Sequence, residues 1–261
     1  MIDTNVYLSC WPFRRLPLDE PAALVAALKR LGVTQAWAGS FDGLLHRDVA
    51  GVNLRLAAAC RTHGEGLLIP IGTVNPTLPD WPEDLRRCHE EHEMPGIRVH
   101  PNYHGYRLGD PRFAALLDEA ARRSLIVQVV VAMEDERTQH PLVRVPPVDP
   151  APLVALVARR SSLRVVLLNA SLKPADVLLR KLVEAGRIWI DTAMMEGISV
   201  LERVVAAVGS ERIVVGSHAP FFAPDAALLK LQEAGLKEAD HRAIAEGNVR
   251  SLMGSRRERE D

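Results

Sequence analysis

The feature that most constrains this chain is an alternation kept up from end to end: short apolar runs, each followed by a segment of helical period. Ile126 to Ala132 is the clearest run, continuous and rich in β-branched residues, as in a strand buried on both faces. Ile2 to Leu8, Thr34 to Ala38, Leu67 to Val74, Gly96 to His100, Leu163 to Leu168, Ile188 to Asp191 and Arg212 to Val215 repeat the theme. Between them, helices are expected near Pro21–Leu31, Asp48–His63, Pro82–His92, Pro111–Arg123, Pro150–Arg160, Pro174–Ala185 and Ser199–Val208, and a closing helical region follows. Apolar residues recur there at helical spacing, as with Leu201, Val204, Val205 and Val208. About eight strand–helix units in 261 residues is the rhythm of an α/β fold, a (β/α)8 TIM barrel. A doubly wound open sheet is the structural alternative, but no Gly-rich dinucleotide fingerprint follows the first strand.

The expected organisation is one barrel domain over residues 1–254 with a charged, disordered tail at 255–261. A net charge of -1 gives no reason to expect nucleic acid or an anionic membrane as partner. No apolar run approaches the roughly 20 residues that span a bilayer. Cys10, Cys60 and Cys88 are odd in number and widely spaced, so neither a disulfide framework nor a structural zinc site is supported. Met1 leads directly into the first strand, and a reduced cytoplasmic setting is expected.

Polar residues gather at the expected C-terminal strand ends, which form the active-site face of such barrels. They are Asn5, Tyr7, Ser40, Asn75, His100, Asn102, Tyr103, His104, Glu134, Asp135, Arg137, His140, Asn169, Asp191, Thr192, Ser217 and His218. The bland alternative is that each is a loop residue bonded to nearby backbone. His100 and His104, four apart, would share a helix face, but Pro101 and Gly105 argue for a loop. Glu134 and Arg137 suit acid–base and anion-binding roles, because a guanidinium is a rigid fork for carboxylates. Trp11-Pro12-Phe13-Arg14-Arg15 is read as a loop that packs its aromatic rings over the barrel mouth; the functional alternative is a pocket wall, with Arg14 attracting an acidic substrate.

Several segments together resemble a known family. Ile2-Asp3-Thr4-Asn5-Val6-Tyr7, Gly96-Ile97-Arg98-Val99-His100-Pro101, Asp110-Pro111-Arg112-Phe113, Ile188-Trp189-Ile190-Asp191-Thr192, Gly216-Ser217-His218-Ala219-Pro220-Phe221 and Gly247-Asn248 stand in the order and spacing of the amidohydrolase superfamily. The branch is that of the amidohydrolase-related proteins, which includes aminocarboxymuconate-semialdehyde decarboxylase. The resemblance implies a TIM barrel and a divalent cation held by two histidines after strand one, one on each of strands five and six, and an aspartate on strand eight. Here Asn5 and Tyr7 stand for the first pair, no histidine lies on strand five, Asn169 stands on strand six, and His218 replaces the aspartate. Amide and phenol are poor partners for zinc, so no cofactor is expected.

The function implied is a hydrolase or lyase acting on a small polar, carboxylated substrate without the usual metal. His218, Asp191 and His100 are the catalytic candidates. Asn5, Tyr7, Asn75, Asn102, Tyr103, His104, Glu134, Arg137, Asn169 and Ser217 are the substrate-binding candidates. Two other readings stay open. One is a non-catalytic paralogue, either a ligand-binding barrel, with homo-oligomers possible, or a partner subunit of an intact amidohydrolase. The other is a metal hydrolase with relocated ligands, for instance a zinc site on His100, His104 and His218.

Overall fold

The computed structural model describes residues 1–254, and the tail expected at 255–261 lies outside the described residues. Strand β1 (Ile2–Leu8) leads to α1 (Pro21–Arg30), β2 (Gln35–Ser40), α2 (Val49–His63), β3 (Leu68–Pro70), β4 (Gly72–Thr73), α3 (Trp81–Glu90) and β5 (Gly96–Val99). Then come α4 (Pro111–Arg122), β6 (Ile126–Val130), α5 (Leu153–Ala158), β7 (Arg164–Leu168), α6 (Val177–Glu184), β8 (Ile188–Asp191), α7 (Val200–Val208) and β9 (Ile213–Val214). Helices α8 (Pro224–Gln232), α9 (Glu238–Arg242) and α10 (Asn248–Gly254) complete the chain. Every strand pairing is parallel, as the alternation requires.

The strand expected over Leu67 to Val74 is two strands. β3 ends at Pro70, which has no N–H to continue a ladder. Ile71 donates to the Ala38 carbonyl at 2.8 Å, and the chain then shifts to pair β4 with β5. The sheet therefore reads as β1-β2-β3 followed by β4 through β9. The cylinder closes where Thr4 N donates to Val215 O at 2.9 Å and Tyr7 N donates to Ala219 O at 2.8 Å. The long segment after β6 carries two 3₁₀ turns, Glu136–Thr138 and Pro141–Val143.

Burial on both faces of the strands is visible in the packing. Val127, Val129, Val165 and Leu167 join one apolar cluster with the helix residues Leu24, Leu28, Phe113 and Leu116. Their strand neighbours Ile126, Val130, Val166 and Leu168 join a second with Trp37, Trp189 and Val214. Alternate side chains thus serve the helical shell and the barrel interior, the period of two that a strand imposes. Val249 and Leu252 of α10 belong to the interior cluster. Arg164, on the first turn of β7, reaches the Leu252 carbonyl, and Asn248 Nδ2 donates to the carbonyls of Ser210 and Ile213. The C-terminal helix is therefore the floor of the barrel.

A charged belt crosses the interior above that floor. Arg98 is fully buried, and its guanidinium donates to Gln128 Oε1 at 2.8 Å and to the carbonyls of Val6, Thr4 and Trp37 at 2.9, 3.3 and 3.1 Å. Gln128 in turn donates to Thr4 O at 2.8 Å. Gly39 leaves the room for this: a Cβ there would stand 2.7 Å from an Arg98 nitrogen. Among the described residues Arg98 forms no ion pair with a carboxylate. Its donors satisfy backbone at the β1 irregularity between Asp3 and Val6, which is what a buried cation needs.

Candidate functional site

Above the belt lies a layer of polar side chains built from strand ends. Asn5 Nδ2 on β1 donates to Asn169 Oδ1 and to Asp191 Oδ2, each at 2.7 Å. The other Asp191 oxygen accepts from Asn169 N at 2.9 Å. Gly216 makes space for that carboxylate, since a Cβ there would lie 2.4 Å from Asp191 Oδ2. Asn169 Nδ2 donates to Ala132 O at 2.7 Å and faces His218 Nδ1 at 3.3 Å. His218 Nε2 lies 2.7 Å from the Met133 carbonyl, so that nitrogen carries the proton and Nδ1 is left as the acceptor. Both Asn169 and His218 have φ of +57°. Left-handed backbone costs a bulky residue roughly 1–2 kcal/mol, and such strain gathers where side chains must be aimed.

Tyr7 divides this layer. Its hydroxyl is 3.1 Å from His100 Nε2, its ring stacks on Phe41 at 4.7 Å, and the Arg98 guanidinium lies 4.4 Å from its other contact, the ring centroid. His218 stacks on Phe221 at 4.8 Å. Trp11 then covers the layer, with its ring 5.4 Å from Phe41, 4.8 Å from Phe221 and 6.4 Å from Tyr103. The expected aromatic cap over the mouth is present.

Burial sets the protonation of these groups. It pushes Asp191 up to about 6, while the Asn5 amide and the Asn169 N–H oppose the rise. It brings His218 down to about 4 and His100 well below the usual imidazole value. It raises Tyr7 to about 12. Near neutral pH both imidazoles are neutral and the phenol keeps its proton.

At the positions that the resemblance assigns to metal ligands, the side chains are engaged with protein neighbours. Asn5 turns its amide hydrogens toward Asp191 and Asn169, and the His218 Nε2 proton is committed to a carbonyl. The fixed charge of Arg98 lies under Tyr7. Among the described residues no three His, Cys, Asp or Glu side chains converge as metal ligands. The suggested set of His100, His104 and His218 is not assembled: His104 Nε2 is held by the Gly43 carbonyl at 2.9 Å, and the Tyr7 ring contacts both His100 and His218.

Open space lies to one side of the capped layer. A cavity of about 500 Å3 is bounded by Arg14, Glu134, Asn169, Ser171, Phe221 and Phe222, with Ala132, Asp135, Thr138, Met194 and Glu196 among its other walls. Arg14 donates to Glu134 Oε2 at 2.8 Å, joining the loop after β1 to the loop after β6, and lies 5.5 Å over Phe221. Arg14 is half exposed, whereas the Glu134 side chain is 10% exposed. Asn169 is shared: it lines this cavity and bonds Asp191 and His218 behind it.

The sequence candidates fall into three groups. Asn5, Tyr7, His100, Asn169, Asp191, Ser217 and His218 come together in the covered layer, where Ser217 N donates to Asp3 Oδ1 at 3.0 Å. Glu134 and Asn169 face the cavity. The remainder bond within their own turns or to neighbouring loops: Asn75 Oδ1 accepts from Thr77 N and Oγ1, Arg137 pairs with Asp135, and Asn102 reaches across to the Pro146 carbonyl. Tyr103 packs against Trp11, and His104 braces Gly43. Arg98 and Gln128 are central residues outside that candidate set. Their signal was a polar residue inside an otherwise apolar strand. Ser171, Met194, Glu196 and Phe222 arrive on irregular loops, which carry no period to read.

Among the described residues no helix is long and apolar enough to cross a membrane. Among curated protein sequences the chain has no match. Solved structures resemble it across nearly its whole length. The 2,6-dihydroxybenzoate decarboxylase from Rhizobium has a TM-score of 0.76 at 14% identity, with 98% of each chain covered. A dihydroxybenzoic acid decarboxylase from Polaromonas sp. JS666, solved with manganese and the inhibitor 2-nitroresorcinol, has a TM-score of 0.75 at 12% identity, covering 98% of this chain and 97% of that one. A putative amidohydrolase from Staphylococcus aureus has 0.75 at 13%, covering 97% and 99%. These likenesses carry the barrel fold. The amidohydrolase family model matches residues 11–254, from the aromatic cap after β1 to the floor helix. The chain is a member of the amidohydrolase family.

Proposed function

We propose that the protein is an enzyme of this family that acts on a small polar, carboxylated molecule in the cavity at the barrel mouth, without a divalent cation. The observation that carries the reading is the Arg14–Glu134 pair beside Asn169. A guanidinium already aligned with one carboxylate is pre-organised for another. A substrate carboxylate takes the place of Glu134 on Arg14. Glu134 is thereby released beside the substrate as a free carboxylate, able to remove or return a proton. Asn169 closes the inner wall, its amide held by Asn5 and the Ala132 carbonyl and its N–H by Asp191. Asp191, His218 and His100 are positioning residues in this scheme, because the aromatic cap separates them from the cavity.

Turnover of a carboxylate panel, measured with protein stripped by chelator and with protein reloaded with Zn or Mn, tests the proposal. Arg14→Ala should raise KM at least tenfold, and Glu134→Gln should lower kcat at least a hundredfold while KM stays within threefold. Activity that rises in proportion to added metal would sink the metal-independent reading.

A second reading has its own support. His218, His100 and Asp191 are each at most 1% exposed under Trp11 and Phe221. That burial suits a ligand-binding barrel or a partner subunit whose old centre is a structural plug. Saturable carboxylate binding with no turnover, lost in Arg14→Ala, would select it.

A further inference from the structure

A second cavity of about 580 Å3 lies between the segment after β8 and helix α8. Its wall is largely apolar: Met195, Val200, Ala223, Ala226 and Ala227 supply most of it. Two charges face it. Lys230 donates to the carbonyls of Thr192 at 2.6 Å and Ala193 at 3.1 Å. An ammonium has three N–H bonds, so one remains without a partner among the described residues. Desolvation also depresses the Lys230 pKa, so an anion placed there recovers solvation that the ammonium has lost. Glu196 is the other charge. It forms no hydrogen bond or ion pair among the described residues, although Lys230 and Arg137 are close enough to feel it.

A ligand with a carboxylate alone would satisfy Lys230 and be repelled by Glu196. One with an amine alone would meet the reverse. A molecule carrying both charges on a short apolar body satisfies both groups and fills the wall. We infer that this crevice is a binding site for a small apolar α-amino acid, its carboxylate on Lys230, its ammonium on Glu196 and its side chain against Met195, Val200 and the α8 alanines. The site is separate from the mouth cavity in its anion-binding group, because Arg14 does not line it. The two share Glu196, Phe221 and Phe222 as a common wall.

Calorimetric titration of the full chain with L-leucine and L-valine tests this, with isovalerate and isobutylamine as single-charge controls. Saturable binding of the amino acids is expected, with each control at least tenfold weaker. Lys230→Met should weaken leucine at least tenfold. Ala226→Phe, at an exposed position, should do so by filling the crevice without removing either charge. Arg14→Ala should leave leucine binding within twofold, so failure of the mouth-cavity reading is told apart from failure here. No saturable heat with either amino acid, binding of isovalerate as tight as that of leucine, or full leucine affinity in both Lys230→Met and Ala226→Phe would overturn the inference.

Discussion

The covered polar layer and the mouth cavity are both built from polar side chains at the strand ends and the loops that follow them, yet they obey different physics. In the layer, Asn5, Asn169, Asp191 and His218 are bonded to one another under an aromatic cap. At the mouth, Arg14 and Glu134 meet in an ion pair with solvent beside it. A buried network is costly to leave half satisfied, whereas a pair whose cation is half exposed contributes less to stability and is freer to change partner. Solvent access, more than residue identity, separates what holds this barrel together from what can meet a ligand.

The comparison can be broken most forcefully at Arg98. Arg98→Leu should cost on the order of 3–5 kcal/mol in urea unfolding, since several carbonyls and Gln128 lose a charged donor in the interior. A loss below 1 kcal/mol would mean that water reaches the belt.

The layer also has opposed pH dependences. Asp191 is raised from 3.8 to about 6 in the folded state, so its stabilising contribution is complete below pH 3.8 and is lost as pH rises through 6. His218 is lowered from 6.5 to about 4, so its contribution is present above pH 6.5 and is lost as pH falls through 4. Each spans roughly 3 kcal/mol at 1.36 kcal/mol per pKa unit. The two nearly cancel between pH 4 and 6. Asp191→Asn should therefore make stability climb more steeply with pH than in the wild type, and His218→Gln should make it fall. Parallel curves for all three proteins would show that the layer does not titrate as a closed set.

Effects at the rim should be smaller still on stability. Arg14→Ala should leave the melting temperature unchanged within error while weakening carboxylate binding at least tenfold, the inverse of Arg98→Leu. Arg137→Ala, whose partner Asp135 is also solvent-facing, should change neither stability nor binding. A lowered affinity there would extend the cavity outward along the Glu136–Thr138 turn.

The sequence revealed the barrel because burial on both faces leaves a continuous apolar run for each strand, as in Ile126 to Ala132. It also located the strand ends that meet: Asn5, Tyr7, Asn169, Asp191 and His218 converge although up to 213 positions separate them. It did not show which side of the cap each would face. That depends on Trp11, Phe41 and Phe221 meeting across three loops, a contact without a local signature. The β3–β4 break was marked by Pro70, but one proline within an apolar run does not say where the next partner strand lies.

The closure of the cylinder has a consequence for how the chain is made. β1 is made before the other strands of the barrel, yet one of its edges waits for Val215 and Ala219, more than 200 residues later. The floor waits for α10, later still. Until then the interior face is uncapped at both ends and an unpaired strand edge is on offer to any neighbouring chain. Pairings of such long range close slowly. The nascent protein should therefore depend on chaperones for most of its synthesis, and pulse-labelled chains halted before residue 213 should remain protease-sensitive along β1.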